Sequence, residues 1–261
     1  MDTWIRFEIS GKTAFGLLEQ TAIHVHEGDL FGPVEATGEV VALGDVTILT
    51  PCVPGKMLAL WNNFHATMEK TGLPKPEHPW YFVKTPNTYA PAGAVIRKPG
   101  ACRGKVLFEG ELGIVIGRDC RDVPVEDADE YIFGYTCIND VTALEHLFSE
   151  ESFAHWTRAK CFDGFGVFGP GITRGVNPDD LVIMTFLEGE GEVQERQNYP
   201  VSDMIYGPRE IVSRISRDMT LNPGDIIACG TSVGAGAMKD GWSVRILIEG
   251  VGELVNRYDG R

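Results

Sequence analysis

The chain has 261 residues, 43% of them hydrophobic, and a formal net charge of −14. That length suits one large domain, or a main domain with a small appendage, and it can bury enough surface to fold without disulfides or a structural metal. So acidic a chain does not coat phosphate backbones, so nucleic acid is not an expected partner, and an anionic ligand would need local positive charge.

The six cysteines (Cys52, Cys102, Cys120, Cys137, Cys161, Cys229) are scattered, with no CxxC pair and no zinc-like spacing. They read as reduced thiols of a cytosolic protein. The opening "MDTWIRFEIS" lacks a basic stretch followed by an apolar one, and no run of 18 apolar residues occurs. A cytoplasmic protein without a signal peptide or membrane contact is expected.

Residues 1–55 read as a small N-terminal β module, with short alternating strands in "WIRFEIS", "TAIHVHEG" and "GEVVALGDVTIL" separated by Gly-bearing turns. Residues 56–261 form the expected main domain. "KMLAL" is a buried strand, and "WNNFHATMEKTG" a short helix stopped by Gly72. "WYFVK" is a strand, followed by an irregular polar stretch to Gly100. "KVLFEGELGIVIG" is a strand; "VPVEDADE" begins like a capped helix and runs into the apolar strand "YIFGYTCI". "SDMIYGPREIVSRISRDM" carries apolar residues at helical spacing, and "DIIACGTS", "SVRILIEG" and "GELVNRY" are strand-like. The predicted fold class is mixed α/β, predominantly β, with short helices.

Three acids fall at predicted strand ends: Glu109, Glu111 and Asp140. In a strand, i and i+2 share a face, so Glu109 and Glu111 repel unless something sits between them. Hard oxygen ligands on rigid strands suit Mg²⁺ or Mn²⁺, although E-x-E spacing alone fits a solvated edge strand equally well. Arg158 and Lys160 form a second i, i+2 pair before a Gly-rich turn. "CGTSVGAGAMKDG" could bring backbone N–H groups near an anion but lacks the ending of a phosphate-binding P-loop. His65 and Glu69, four apart on the predicted helix, could orient a water as general base or be plain surface residues.

Together these segments resemble the fumarylacetoacetate hydrolase family over about residues 57–257. "FEGELGIVIG" is similar to its E-x-E-L-x-x-V-I-G metal strand, "YIFGYTCINDVTA" to its G-Y-x-x-x-N-D segment and "AKCFDGFGVFGP" to its K-x-x-D-x-x-x-P-x-G stretch. "MTLNPGDIIACGT" resembles L-x-x-G-D-x-I-x-x-G-T, and "YFVKTPNTY" the F-x-K-x-x-N/S strand and loop. The decarboxylase/isomerase branch of homoprotocatechuate breakdown is especially similar, down to "GVGELVNR".

The resemblance implies a β-rich roll or sandwich, usually dimeric, with Mg²⁺ or Mn²⁺ on Glu109, Glu111 and Asp140. It implies Lys160 as the active-site lysine, Thr231 as a contact to the substrate carboxylate, and Asn63 and Arg158 as further substrate-binding residues. The substrate would be a small anionic 2-oxo or β-diketo acid. The leading expectation is C–C hydrolysis of an acylpyruvate of the fumarylpyruvate or maleylpyruvate kind, with His65 and Glu69 activating water. Decarboxylation or isomerisation of a 2-oxo or 2-hydroxymuconate-type dicarboxylate is the alternative, and a catalytically silent acid-binding homologue the third. Two departures stand out. Aligning Asn63-Phe64 on the family's N-Y-x-x-H-x-x-E puts Thr67 and Lys70 at its His and Glu, and Leu144 stands where D-x-S-A-R-D has Arg.

Overall fold

The first strand, Asp2–Ile9, buries Trp4, Ile5 and Phe7. It turns through Ser10 and Gly11, both at positive φ, into a second strand, Lys12–Glu19. Paired positive-φ residues match the twist of a tight hairpin. This second strand, "KTAFGLLE", escapes the sequence reading because Gly16 and Lys12 dilute its β-character. Gly16 is required, since a Cβ there would lie 2.3 Å from the His24 carbonyl oxygen of the neighbouring strand.

A computed structural model describes residues 1–261. Its main sheet has twelve strands. Asp2–Ile9 pairs on its other side with Gly166–Arg174, bringing Ile5 opposite Gly171. Hydrogen bonds therefore run without a break from the first 55 residues into the rest of the sheet. Next to Gly166–Arg174 come Ile132–Asp140 and Gly110–Ile116, both antiparallel to their neighbours, then Ile226–Ala228, Met57–Trp61 and Trp80–Lys84. All seven residues of Gly110–Ile116 are buried. A strand covered on both faces is expected to be apolar throughout, which isolates Glu111 as the exception.

A five-stranded sheet built from Val182–Gly189, Glu192–Pro200, Ser243–Ile248, Gly252–Asp259 and Ile96–Arg97 packs over this central region. Its apolar faces and those of the main sheet form one core, joined by Ile211, Val212 and Ile215 of the helix Pro208–Asp218. That helix starts with Pro at its first position, where a missing N–H costs nothing. The apolar residues Met204 and Ile205 sit ahead of it, in a bend that pairs with Phe64 and Asn63. The predicted helix after Phe64 is observed at His65–Thr71 and is closed by Gly72 in the left-handed conformation. The stretch after Pro124 is a 3-10 helix, Val125–Tyr131. No helix is long and apolar enough to cross a membrane.

A small ribbon completes what the site needs. Val106–Phe108 pairs with Thr142–Ala143 and with Gly236–Ala237. Glu109 is the single residue between this ribbon and Gly110–Ile116, so the chain changes sheets at that point.

Candidate functional site

The switch of sheets at Glu109 explains how the acids converge. The Asp140 N–H donates to the Glu109 carbonyl at 3.0 Å, and the Glu109 N–H donates to Asn139 Oδ1 at 3.1 Å. These bonds pin the end of Ile132–Asp140 beside Glu109. Gly110 is the residue that lets the two glutamates flank it. A Cβ at Gly110 would come within 2.1 Å of Thr185 Oγ1 on the overlying sheet, so only glycine allows the two layers to close there. Its N–H donates to Gln197 Oε1, and its carbonyl accepts from Tyr199 Oη and Thr231 Oγ1.

One oxygen from each of Glu109, Glu111 and Asp140 lies within 4.8 Å of the others. Glu111 is fully buried; its Oε2 accepts from the Gly230 N–H at 2.8 Å, whereas its Oε1 has no hydrogen-bond partner. Gly230 offers that N–H from a left-handed backbone at φ 90°, which glycine adopts without penalty. An unpaired buried carboxylate oxygen is costly, which marks a position for a ligand. Three hard oxygen donors of this kind fit Mg²⁺ or Mn²⁺.

Two lysines enter the cluster. Lys160 Nζ donates to Asp140 Oδ2 at 2.5 Å and to Glu109 Oε2 at 2.9 Å. Lys84 Nζ donates to Asp140 Oδ1 at 2.5 Å and to the Lys160 carbonyl at 2.7 Å, closing the C-terminal end of the short helix Trp156–Lys160. Thr142 Oγ1 donates to Glu109 Oε1 at 2.6 Å. Burial, reinforced by the negative charges of Asp140 and Glu109, holds the Glu111 carboxyl well above its ordinary value. Burial pushes Asp140 the same way, but the Lys160 and Lys84 ammonium groups overcome it and hold that carboxyl low. For Lys160, burial is outweighed by Asp140, Glu109 and Glu111, which raise it and keep it charged.

Above the cluster lies a cavity of about 240 Å³, lined by Glu109, Lys160 and Thr231 together with Asn62, Ser232 and apolar side chains. Of the residues expected from the sequence, Glu109, Glu111, Asp140, Lys160 and Thr231 are thus brought together. Four are not. Arg158 is exposed and does not line the cavity. It lies two residues from Lys160 on a helix, where i and i+2 point to different sides; the shared face holds only in a strand. Asn63 is buried but occupied: its Nδ2 donates to the Tyr206 and Cys229 carbonyls and its Oδ1 accepts from the Tyr206 N–H. It ties the chain before His65–Thr71 to two other segments and has nothing left for a substrate. His65 and Glu69 are both exposed and lie outside the cavity; Thr67, Lys70 and Thr71 of the same helix line it instead. The helix presents Thr67, Lys70 and Thr71 to the cavity, so in this conformation the His65–Glu69 pair is not within reach of a water held there.

Three residues escaped the sequence reading. Lys84 carried a signal, a lysine closing the otherwise apolar strand "WYFVK" and matching the F-x-K-x-x-N motif, but its partner Asp140 is 56 residues away. Asn62, beside the residue chosen, is 2% exposed and left-handed at φ 56°; both amide atoms lack a hydrogen-bond partner, and it lines the cavity. Ser232 Oγ is likewise buried there without a partner.

A family profile described as fumarylacetoacetate hydrolase, C-terminal, matches residues 56–258, and one described as Rv2993c-like, N-terminal, matches residues 3–51. Protein Rv2993c of Mycobacterium tuberculosis is 39% identical over 241 residues, covering 91% of this chain and 88% of that protein. Among solved structures, 2-hydroxyhepta-2,4-diene-1,7-dioate isomerase from Mycobacterium marinum aligns with a TM-score of 0.89 at 34% identity, covering 100% of this chain and 99% of that one. Fumarylpyruvate hydrolase from Pseudomonas aeruginosa, solved with Mn²⁺ and pyruvate, aligns with a TM-score of 0.73 at 28% identity, covering 80% of this chain and 91% of that one.

Proposed function

The chain belongs to the fumarylacetoacetate hydrolase family, and from that premise we propose that it is a divalent-metal-dependent enzyme acting on a small 2-oxo acid through an enolate, by tautomerisation or loss of CO₂ rather than by hydrolysis. The observation that carries this choice is the lining of the cavity. Its titratable side chains are Glu109, Lys160 and Lys70, and the His65–Glu69 pair lies outside. Hydrolysis needs a group that takes a proton from water within hydrogen-bond reach. The similarity to the Pseudomonas aeruginosa fumarylpyruvate hydrolase supports the hydrolytic reading, and the similarity to the Mycobacterium marinum isomerase supports the one proposed.

Glu109, Glu111 and Asp140 would hold Mg²⁺ or Mn²⁺, which when bound supplies Lewis-acid stabilisation of an enolate oxygen. The chain's own residues do the rest. Lys160, kept charged by Asp140 and Glu109, presents an ammonium group that can donate a proton to the carbon of an enolate left by loss of CO₂ or by release of an enol proton to solvent. Thr231, held by Gln197 Nε2 at 2.8 Å, donates its hydroxyl to the Gly110 carbonyl at 3.0 Å and would turn it from there to a substrate carboxylate. Asn62 and Ser232 have buried polar atoms free to bind substrate oxygens.

The test is incubation of Mg²⁺- or Mn²⁺-loaded protein with oxaloacetate, a 2-hydroxymuconate-type diacid and an acylpyruvate, with products identified by mass and ultraviolet absorbance. Decarboxylation or tautomerisation without acylpyruvate cleavage is expected. Faster acylpyruvate cleavage would establish hydrolysis instead. Mn²⁺ binding that is unchanged in Glu109→Ala would overturn the metal-dependent reading as a whole.

A further inference from the structure

Beside the reaction cavity is a second one of about 250 Å³, lined entirely by apolar and aromatic side chains. Trp61, Phe148 and Trp156 line both, so the two adjoin. The rings form an ordered wall: Trp61 stacks on Trp80 at 5.6 Å, Phe82 on Trp156 at 4.9 Å, and Trp61 meets Trp156 at 5.3 Å. This is no core packing, because Trp80 is 37% and Phe148 62% exposed. The wall starts at the reacting end, where Lys160 Nζ lies 5.4 Å from the Phe82 ring centre. Leu144 and Leu147 continue the apolar lining. A second carboxylate at the far end of a substrate would need a cation. Lys70 is the one cation other than Lys160 that lines the reaction cavity, and none lines the aromatic one.

We propose that this wall is the specificity subsite and that the substrate is a 2-oxo acid whose far end, beyond any carboxylate lost as CO₂ at the reacting carbon, is a flat apolar group, an aryl ring or one of similar width, rather than a terminal carboxylate. The proposal rests on the function proposed above for the reacting end. The space is adequate, since a cavity of about 150 Å³ holds a benzene ring. Offset and edge-on contacts with the indoles would favour a ring over a saturated chain.

The experiment measures binding to Mn²⁺-loaded protein by calorimetry, using pyruvate for the head alone, 2-oxoglutarate for a carboxylate tail and phenylpyruvate for an aryl tail. Phenylpyruvate is expected to bind at least about tenfold more tightly than either of the others. In Trp156→Ala the phenylpyruvate-to-pyruvate ratio collapses towards unity. Leu144 is 42% exposed, so Leu144→Arg is compatible with folding and should turn the preference towards 2-oxoglutarate. The subsite is overturned if pyruvate binds and the ring adds nothing, which is also the result if a second copy of the chain covers the wall. It is overturned too if 2-oxoglutarate binds best in the unmodified protein. Ring-dependent, Trp156-dependent binding of phenylpyruvate without measurable pyruvate binding would support the subsite while removing the proposed head site. Binding of none of the three removes both.

Discussion

Asn62 and Asn63 are adjacent in the chain and opposite in use. The Asn63 amide makes three hydrogen bonds to the backbone of Tyr206 and Cys229, whereas the Asn62 amide makes none and lines the reaction cavity. The left-handed backbone at Asn62 is what turns the two side chains apart.

Asn63→Ala should therefore lose stability, by about 1–3 kcal/mol or more, because it leaves three buried backbone groups short of a partner. Asn62→Gly keeps the positive φ and should leave the denaturation midpoint nearly unchanged while raising KM. Urea denaturation of both variants, with steady-state kinetics, separates the anchor from the substrate contact. Equal loss of stability would remove Asn62 from the binding site.

Lys84 is buried on every side and takes one oxygen of Asp140. Lys84→Met leaves that carboxylate half-paired in a dry environment and should cost about 3–5 kcal/mol. Adding Asp140→Asn should recover part of the loss in a double-mutant cycle, since the neutral amide no longer needs the ammonium. Strict additivity would mean that the pair is not coupled.

The raised Glu111 carboxyl makes the metal-free protein pH-sensitive with a defined sign. The folded state holds this proton above the ordinary value of about 4.5, where the unfolded chain has released it. Folding then binds the proton, so this contribution to stability is present below that value and is lost as pH rises through the raised one. Glu111→Gln removes the loss, so relative to it metal-free wild type should melt at progressively lower temperature from mildly acidic to neutral pH. Mn²⁺ displaces the same proton, so its affinity should rise with pH over that range. Calorimetry in two buffers of different ionisation enthalpy would read the released proton; no release would place the charge elsewhere.

The exposed residues give the converse expectation. Arg158→Ala, His65→Ala and Glu69→Gln should keep turnover within about twofold, as substitutions on solvated surface usually do. Lys160→Met should lower kcat by about 10²–10⁴. A large loss in His65→Ala would restore the water-activating dyad and, with it, hydrolysis.

The sequence alone determined the predominantly β class and the Gly72 helix stop, because these follow from local periodicity and turn chemistry; the grouping of Glu109, Glu111, Asp140 and Lys160 it offered only through the resemblance of its ordered motifs to the fumarylacetoacetate hydrolase family. It also showed Leu144 where a cation was expected. Tertiary structure alone decided the rest. Whether Arg158 shares a face with Lys160 depends on that segment being helix rather than strand, and tertiary packing can override so short a local preference. Whether Asn62 or Asn63 faces the cavity depends on one backbone angle, and which stripe of His65–Thr71 turns inward depends on what it packs against. Lys84 and Asp140 meet across 56 residues of chain, and the aromatic wall gathers Trp61, Trp80, Phe82 and Trp156 from three separate segments. Such long-range juxtapositions are set by sheet order and register, which no local pattern encodes.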